Sequence, residues 1–158
     1  MRGLPSLAPC AFLAARAVLA HMTERKWGHI INMSPPLDLR AVPGRIAYCI
    51  SKFGMTLLTF GLAEEARPHN IAVNSLWPVT IIKSQASINH NLGTPALWRK
   101  PDILVDCVLR LVQKEPSEVT GQALLDEDFL RSEGVTDFRD YACVPGCEPP
   151  RLSWPAVQ

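Results

Sequence analysis

The sequence holds no Gly-x-Gly. Its nine glycines fall at positions 3, 28, 44, 54, 61, 93, 121, 134 and 146, and no two are two apart. That excludes the short glycine-rich turn that cradles dinucleotide phosphates at a helix N-terminus. Cysteine is sparse and scattered, as Cys10, Cys49, Cys107, Cys143 and Cys147. No Cys-x-x-Cys pair and no Cys/His set has zinc spacing, and an odd number of cysteines does not suggest a disulfide framework. Reduced thiols in a cytosol-like compartment are expected, with mitochondrial or peroxisomal location as the alternative. His21, His29, His69 and His90 also lack metal spacing and are expected at the surface or at strand edges. There is no basic cluster, and the formal net charge is +1, which argues against a nucleic-acid partner. No membrane span is expected, because Arg16 and His21 interrupt the long apolar run from Leu4 to Met22. That run has no acid before Glu24 and imitates a signal or transit peptide. An amphipathic helix over 11–24 is the preferred reading, since a strand follows after a short polar link.

What remains is enough for one globular domain. The chain has 158 residues, 47% hydrophobic and 20% charged, a composition that folds around a core. Fourteen prolines crowd the two ends. Residues 1–10 are expected to be irregular, 11–144 to form the domain, and 145–158 to be a frayed proline-rich tail.

Between those limits the periodicity alternates. Phe12, Ala15, Val18, Leu19 and Met22 recur at helical steps. His29 to Met33 reads as a buried strand, stopped by Ser34-Pro35-Pro36. A second helix is expected over 46–66, apolar on more than one side and therefore buried or in a subunit interface. Its Gly54 and Gly61 would let another backbone come close. Pro68 ends it, and Asn70 suits a left-handed residue before the strand Ile71–Trp77. Residues 79–100 form a long loop, of the kind that is functional or mobile. A third helix starts near Pro101, a last strand spans 121–125, and a short helix over 126–133 is closed by Gly134. Helix and strand alternating in this way predict a doubly wound parallel α/β sheet, with ligands at the carboxyl ends of its strands. Ser34, Tyr48 and Pro78 all converge on that end.

The centre of this pattern is Tyr48-x-x-x-Lys52. Four residues apart on a helix, the two side chains share a face. A cation beside a phenol favours the phenolate and lowers a pKa of about 10 toward working pH. The plain alternative is a buried tyrosine and a lysine lying along a packing helix.

Tyr48-x-x-x-Lys52, preceded by Gly28–Ser34 and followed by Ile71–Pro78, resembles the short-chain dehydrogenases/reductases. Ser34-Pro35-Pro36-Leu37, Lys52–Met55, Ala63-Glu64-Glu65, Leu76-Trp77-Pro78 and Thr120-Gly121-Gln122 through Asp126-Glu127 are similar to the hydroxysteroid dehydrogenase-like, type-2 branch. The resemblance runs from about Phe12 to Gly146. It implies a Rossmann-like fold and interconversion of an alcohol and a carbonyl, with NADP or NAD carrying the hydride. Tyr48 would be the general acid/base, with Lys52 lowering its pKa and holding the nicotinamide ribose. Ser34 would bond the substrate oxygen, unless it only caps a loop. Backbone from Pro78 through Ile81 to Ile82 would meet the nicotinamide amide, and Thr80 or Ser84 would hold the diphosphate.

The chain departs from the family pattern as well. The absent Gly-x-Gly, and a first helix matching the family's fourth, imply the C-terminal half of the fold without the nucleotide-binding first half. The family's helix asparagine aligns near Leu7. Ser34 stands fourteen positions before Tyr48, so the common family spacing lands on Pro35, and the usual Pro-Gly is Pro78-Val79. Two functions are therefore expected as alternatives. One is an oxidoreductase acting on a small alcohol or carbonyl, impaired in this form. The other is a catalytically silent truncated subunit that pairs with a full-length homologue through its apolar helices; a homo- or hetero-oligomer through the helices at 11–24 and 46–66 is expected.

Overall fold

The computed structural model describes residues 7–36 and 38–152. Helix α1 spans Leu7–Arg25 and leads into strand β1, Gly28–Met33. Helix α2, Ile46–Ala66, returns to strand β2, Ile71–Trp77. The turn between them closes on Asn70, left-handed at φ 54°. The chain then makes a two-residue strand β3 (Ile81–Ile82), a short helix α3 (Gln85–Asn89) and a two-residue strand β4 (Trp98–Arg99). Helix α4 (Asp102–Val112), strand β5 (Ala123–Leu125) and helix α5 (Asp126–Ser132) follow.

Strands β1, β2 and β5 form one parallel sheet in the order β1-β2-β5. Successive side chains of a strand point to opposite faces, and the core divides accordingly. Ile71 and Val73 pack with Ala15 of α1 and Leu62, Ala63 and Ala66 of α2. Leu76 packs on the other face with Ile103, Cys107 and Leu111 of α4 and Phe129 and Leu130 of α5. The sheet is thus wound on both sides, as the sequence pattern implied. Buried polar groups tie its elements together. Asn32 Nδ2 donates to Thr59 Oγ1 at 2.9 Å, and Asn74 Nδ2 donates to Val119 O at 2.7 Å while its Oδ1 accepts from Gln122 N–H at 3.1 Å.

Several boundaries differ from the sequence reading. Helix α1 starts at Leu7, so the expected irregular stretch 1–10 is helical from residue 7, with Pro9 in its first turn, where no intrahelical donor is needed. The expected loop 79–100 is not featureless, because β3 and β4 pair in parallel, Ile81 with Trp98 and Ile82 with Arg99. The described part of the tail is docked: Leu152 N–H donates to Val79 O at 2.7 Å, and Arg151 pairs with Asp128 at 2.6 Å. Residues 153–158, with Trp154, lie outside the described residues. Gly54 does stand at a close approach, since a Cβ there would lie 2.9 Å from the Ala8 methyl. Gly61 does not, as a Cβ there would meet nothing within 4 Å. No disulfide joins the five cysteines.

Helix α2 buries its small and polar residues, Cys49, Ser51, Thr56, Thr59, Ala63 and Ala66, with Leu62. Several of its large apolar residues point out instead. Leu57 is 67% exposed and Ile50 60%. Helix α1 adds Phe12, Leu13 and Val18, also exposed. With the turn that follows, Ile46–His69 is long and apolar enough to cross a bilayer. In this fold it packs on β2 and α1, so its inner face is that of a core helix.

Candidate active site

The carboxyl ends of β1 and β2, the start of α2 and the β3–α3 segment enclose a cavity of about 670 Å³. Proposed site residues Ser34, Tyr48, Lys52, Pro78, Thr80, Ile81, Ile82 and Ser84 all line it. The wall is otherwise mostly apolar, with Met33, Pro35, Pro36, Phe53, Leu104 and Leu152 contributing. Trp77 is not part of it. Its indole N–H turns back to Ser75 Oγ at 2.8 Å.

Tyr48 and Lys52 enter from the first two turns of α2, on the shared face that their spacing dictates. Their charges do not interact as the sequence suggested. Lys52 Nζ donates to Met33 O, at the end of β1, at 2.8 Å. Burial lowers the Lys52 pKa from its usual value. The phenol of Tyr48 is 43% exposed. Its pKa is raised, first by desolvation and then by the Cys49 thiol, and the cation opposing the rise is Arg45. The lysine is thus anchored on the sheet, and the arginine one turn before Tyr48 is the charge that the phenol senses.

Ser34 is held differently from a substrate-binding hydroxyl. It is buried, its Oγ–H donates to Lys52 O at 2.8 Å, and it accepts from Thr56 Oγ1 at 3.1 Å. Its proton is committed to the α2 backbone, where it fixes β1 against the helix carrying Tyr48 and Lys52. Pro35 follows it in the wall, with no hydroxyl to offer.

Fit to a nicotinamide cofactor divides in two. On the β2 side, Thr80 Oγ1, one of the two hydroxyls expected at the diphosphate, is buried without a hydrogen-bond partner, in the same wall as Lys52. A buried hydroxyl with no protein partner is one that a polar ligand group can satisfy, so the residues on this side fit. The other expected hydroxyl does not. Ser84 lines the cavity, but its Oγ accepts from Ser87 N–H at 3.1 Å as the cap of α3, so it is occupied.

Sequence reading missed Arg45, Asp38, Phe53 and Leu152 as wall residues. Arg45 lies three residues before Tyr48, and helical spacing could have found it. Leu152 could not be found so, because only tertiary docking of the tail brings it there.

This site and fold resemble known proteins. The short chain dehydrogenase family profile matches residues 9–92. Hydroxysteroid dehydrogenase-like protein 2 of Homo sapiens is 40% identical over 140 residues, covering 85% of this chain and 32% of the relative. The same-named protein of Danio rerio is 39% identical, covering 85% and 33%. The chain spans about a third of the length of the curated relatives it matches. Among solved structures, a short chain dehydrogenase of Mycobacterium thermoresistibile superposes with a TM-score of 0.75 at 38% identity, covering 91% of this chain and 52% of that one. A 4-hydroxyisoleucine dehydrogenase mutant complexed with NADH and succinate gives a TM-score of 0.62 at 27% identity, covering 72% and 51%.

Proposed function

The chain belongs to the short-chain dehydrogenase/reductase family, and from that premise we propose that its cavity interconverts a small-molecule alcohol and a carbonyl. The observation that carries this reading is the convergence of Tyr48, Lys52 and the unpartnered Thr80 hydroxyl on one largely apolar cavity. A bound nicotinamide, NADP or NAD, would give hydride to the carbonyl carbon or take it from the alcohol carbon. Lys52, with the backbone from Pro78 to Ile82, would hold its nicotinamide end, and the Thr80 hydroxyl would meet its diphosphate. Tyr48 gives its phenolic proton to the carbonyl oxygen in reduction and recovers it from the hydroxyl in oxidation. Ser34 serves by fixing α2 to β1.

The cofactor grip is expected to be weak. With no glycine-rich phosphate turn in the sequence, the chain forgoes the helix-terminus contacts that anchor a diphosphate. Titration calorimetry with NADPH and NADH should give dissociation constants on the order of 1 mM. Oxidation of either cofactor at millimolar concentration, dependent on an added carbonyl compound, tests the reading. Its complete absence would sink it.

A second reading is favoured by the exposed apolar residues of α1 and α2: a catalytically silent subunit that pairs through these helices with another short-chain dehydrogenase chain. Contiguous apolar surface on a soluble domain marks an interface. Light scattering should then give a mass above 17.5 kDa. Leu57→Glu, at an exposed position, should return the protein to monomer without unfolding it. A wild-type monomer at high micromolar concentration, with no full-length short-chain dehydrogenase co-purifying with it, would refute the pairing.

A further inference from the structure

Arg45 transfers no proton in the chemistry just described, yet it stands in the cavity wall. It occupies the N-cap of α2 and makes no side-chain capping bond there. Among the described residues no carboxylate lies within ion-pair distance of it. The nearest carboxylate in the wall, Asp38, is already taken: it accepts from Arg40 Nε at 3.1 Å, Arg40 Nη2 at 3.2 Å and the Arg40 backbone N–H at 2.9 Å. Lys52 is the other cation of the cavity, and its ammonium is held on Met33 O. Arg45 is therefore a charge with a planar pair of donors, suited to a carboxylate, and no protein group has claimed it.

Its position relative to Tyr48 limits what it would bind. Arg45 caps α2 three residues before Tyr48, both line the same cavity, and the phenol senses the arginine's charge. An anion held by Arg45 therefore sits close to the oxygen that exchanges a proton with Tyr48. A carboxylate a few carbons from the reacting carbon would reach both groups. Beyond the two polar ends the wall is Met33, Pro35, Phe53, Ile82, Leu104 and Leu152, which accepts an alkyl or ring substituent.

We propose that the cavity takes a hydroxy acid or oxo acid with an apolar tail, its carboxylate gripped by Arg45 and its nearby hydroxyl or carbonyl presented to Tyr48. This rests on the cavity being the substrate site, as argued above. It adds the substrate's charge and the residue that reads it.

The test is binding, measured by titration calorimetry near neutral pH, with and without millimolar NADPH. Three probes are compared: 3-hydroxydecanoate, its methyl ester and 10-hydroxydecanoate. The 3-hydroxy acid should bind about tenfold more tightly than the ester, the size expected of one charge-assisted contact at a partly open site. Arg45→Gln should remove that preference and leave the ester's affinity unchanged. The variant alters an exposed side chain without structural bonds, so it should fold. 10-Hydroxydecanoate keeps the carboxylate but carries its hydroxyl at the far end of the tail, away from Tyr48, so it should bind more weakly than the 3-hydroxy acid. Equal binding of acid and ester by the wild type overturns the inference while leaving the cavity a substrate site. So does a preference that survives in Arg45→Gln, or a 10-hydroxy acid that matches the 3-hydroxy acid. Binding of none of the three overturns the substrate-site reading along with it.

Discussion

Glu127→Ala should cost the fold about 3–5 kcal/mol, the range found when one member of a buried ion pair is removed. Arg99 is only 3% exposed, and its Nη1 lies 2.8 Å from Glu127 Oε2. Its Nε has no hydrogen-bond partner, and Phe138 covers it at 5.4 Å. Without Glu127 the guanidinium would stay buried with no direct partner. The neighbouring Asp126 carboxyl makes no ion pair with Arg99: its Oδ1 accepts from Val79 N–H at 3.0 Å and Glu127 N–H at 2.7 Å, its Oδ2 is buried without a partner, and burial raises its pKa against the pull of Arg99. Glu127 has a second cation, Arg131, at 2.7 Å, but that side chain is half exposed. Arg131→Ala should therefore cost less than about 1 kcal/mol. Urea denaturation of the three proteins separates these outcomes. The double replacement Arg99→Met with Glu127→Leu should recover most of the loss, because the penalty comes from the stranded charge and not from missing attraction. A Glu127→Ala protein within about 1 kcal/mol of wild type would mean that the pair is solvated.

The same pair explains why the 79–100 segment was hard to read. Its ladder is two residues long and joins Ile81–Ile82 to Trp98–Arg99, too short to leave a period-2 signature. What holds it is a contact from Arg99 to α5, nearly thirty residues on, which local sequence does not encode. By contrast, α2 and the sheet were legible because alternation and helical spacing are local. Tyr48 and Lys52 share a face by spacing alone. Where their charges go does not follow from spacing. Lys52 turns to Met33 O because β1 ends beneath it, and the Ser34 hydroxyl turns to Lys52 O because Thr56 also reaches it. Both orientations are tertiary facts. Ser34 could be placed in the wall from sequence, but the direction of its proton could not.

Tyr48→Phe should lower the rate of carbonyl reduction by about 10²–10⁴-fold, the usual contribution of a positioned proton donor. The loss should not come from unfolding. The phenol is half exposed and no described group bonds its oxygen, so removing it should change stability by less than about 0.5 kcal/mol. The direction of the pKa shift sets the pH dependence. Desolvation, with the Cys49 thiol, raises the phenol above its ordinary 10.0, against the pull of Arg45. At neutral pH Tyr48 is therefore protonated, the form that reduction needs. The reduction rate should stay flat from about pH 6 to about pH 9 and fall only beyond the raised pKa. Oxidation needs the phenolate and should climb tenfold per pH unit over the same range. Arg45→Gln removes the opposing cation, moves the phenol further up, and should slow oxidation at a given pH with little effect on reduction of an uncharged ketone. Stopped-flow absorbance of the nicotinamide across pH measures both directions. A Tyr48→Phe protein within a few fold of wild type would assign the proton to another group. An oxidation profile already level at pH 7 would mean that Lys52 leaves Met33 O and lowers the phenol's pKa once the cavity is filled.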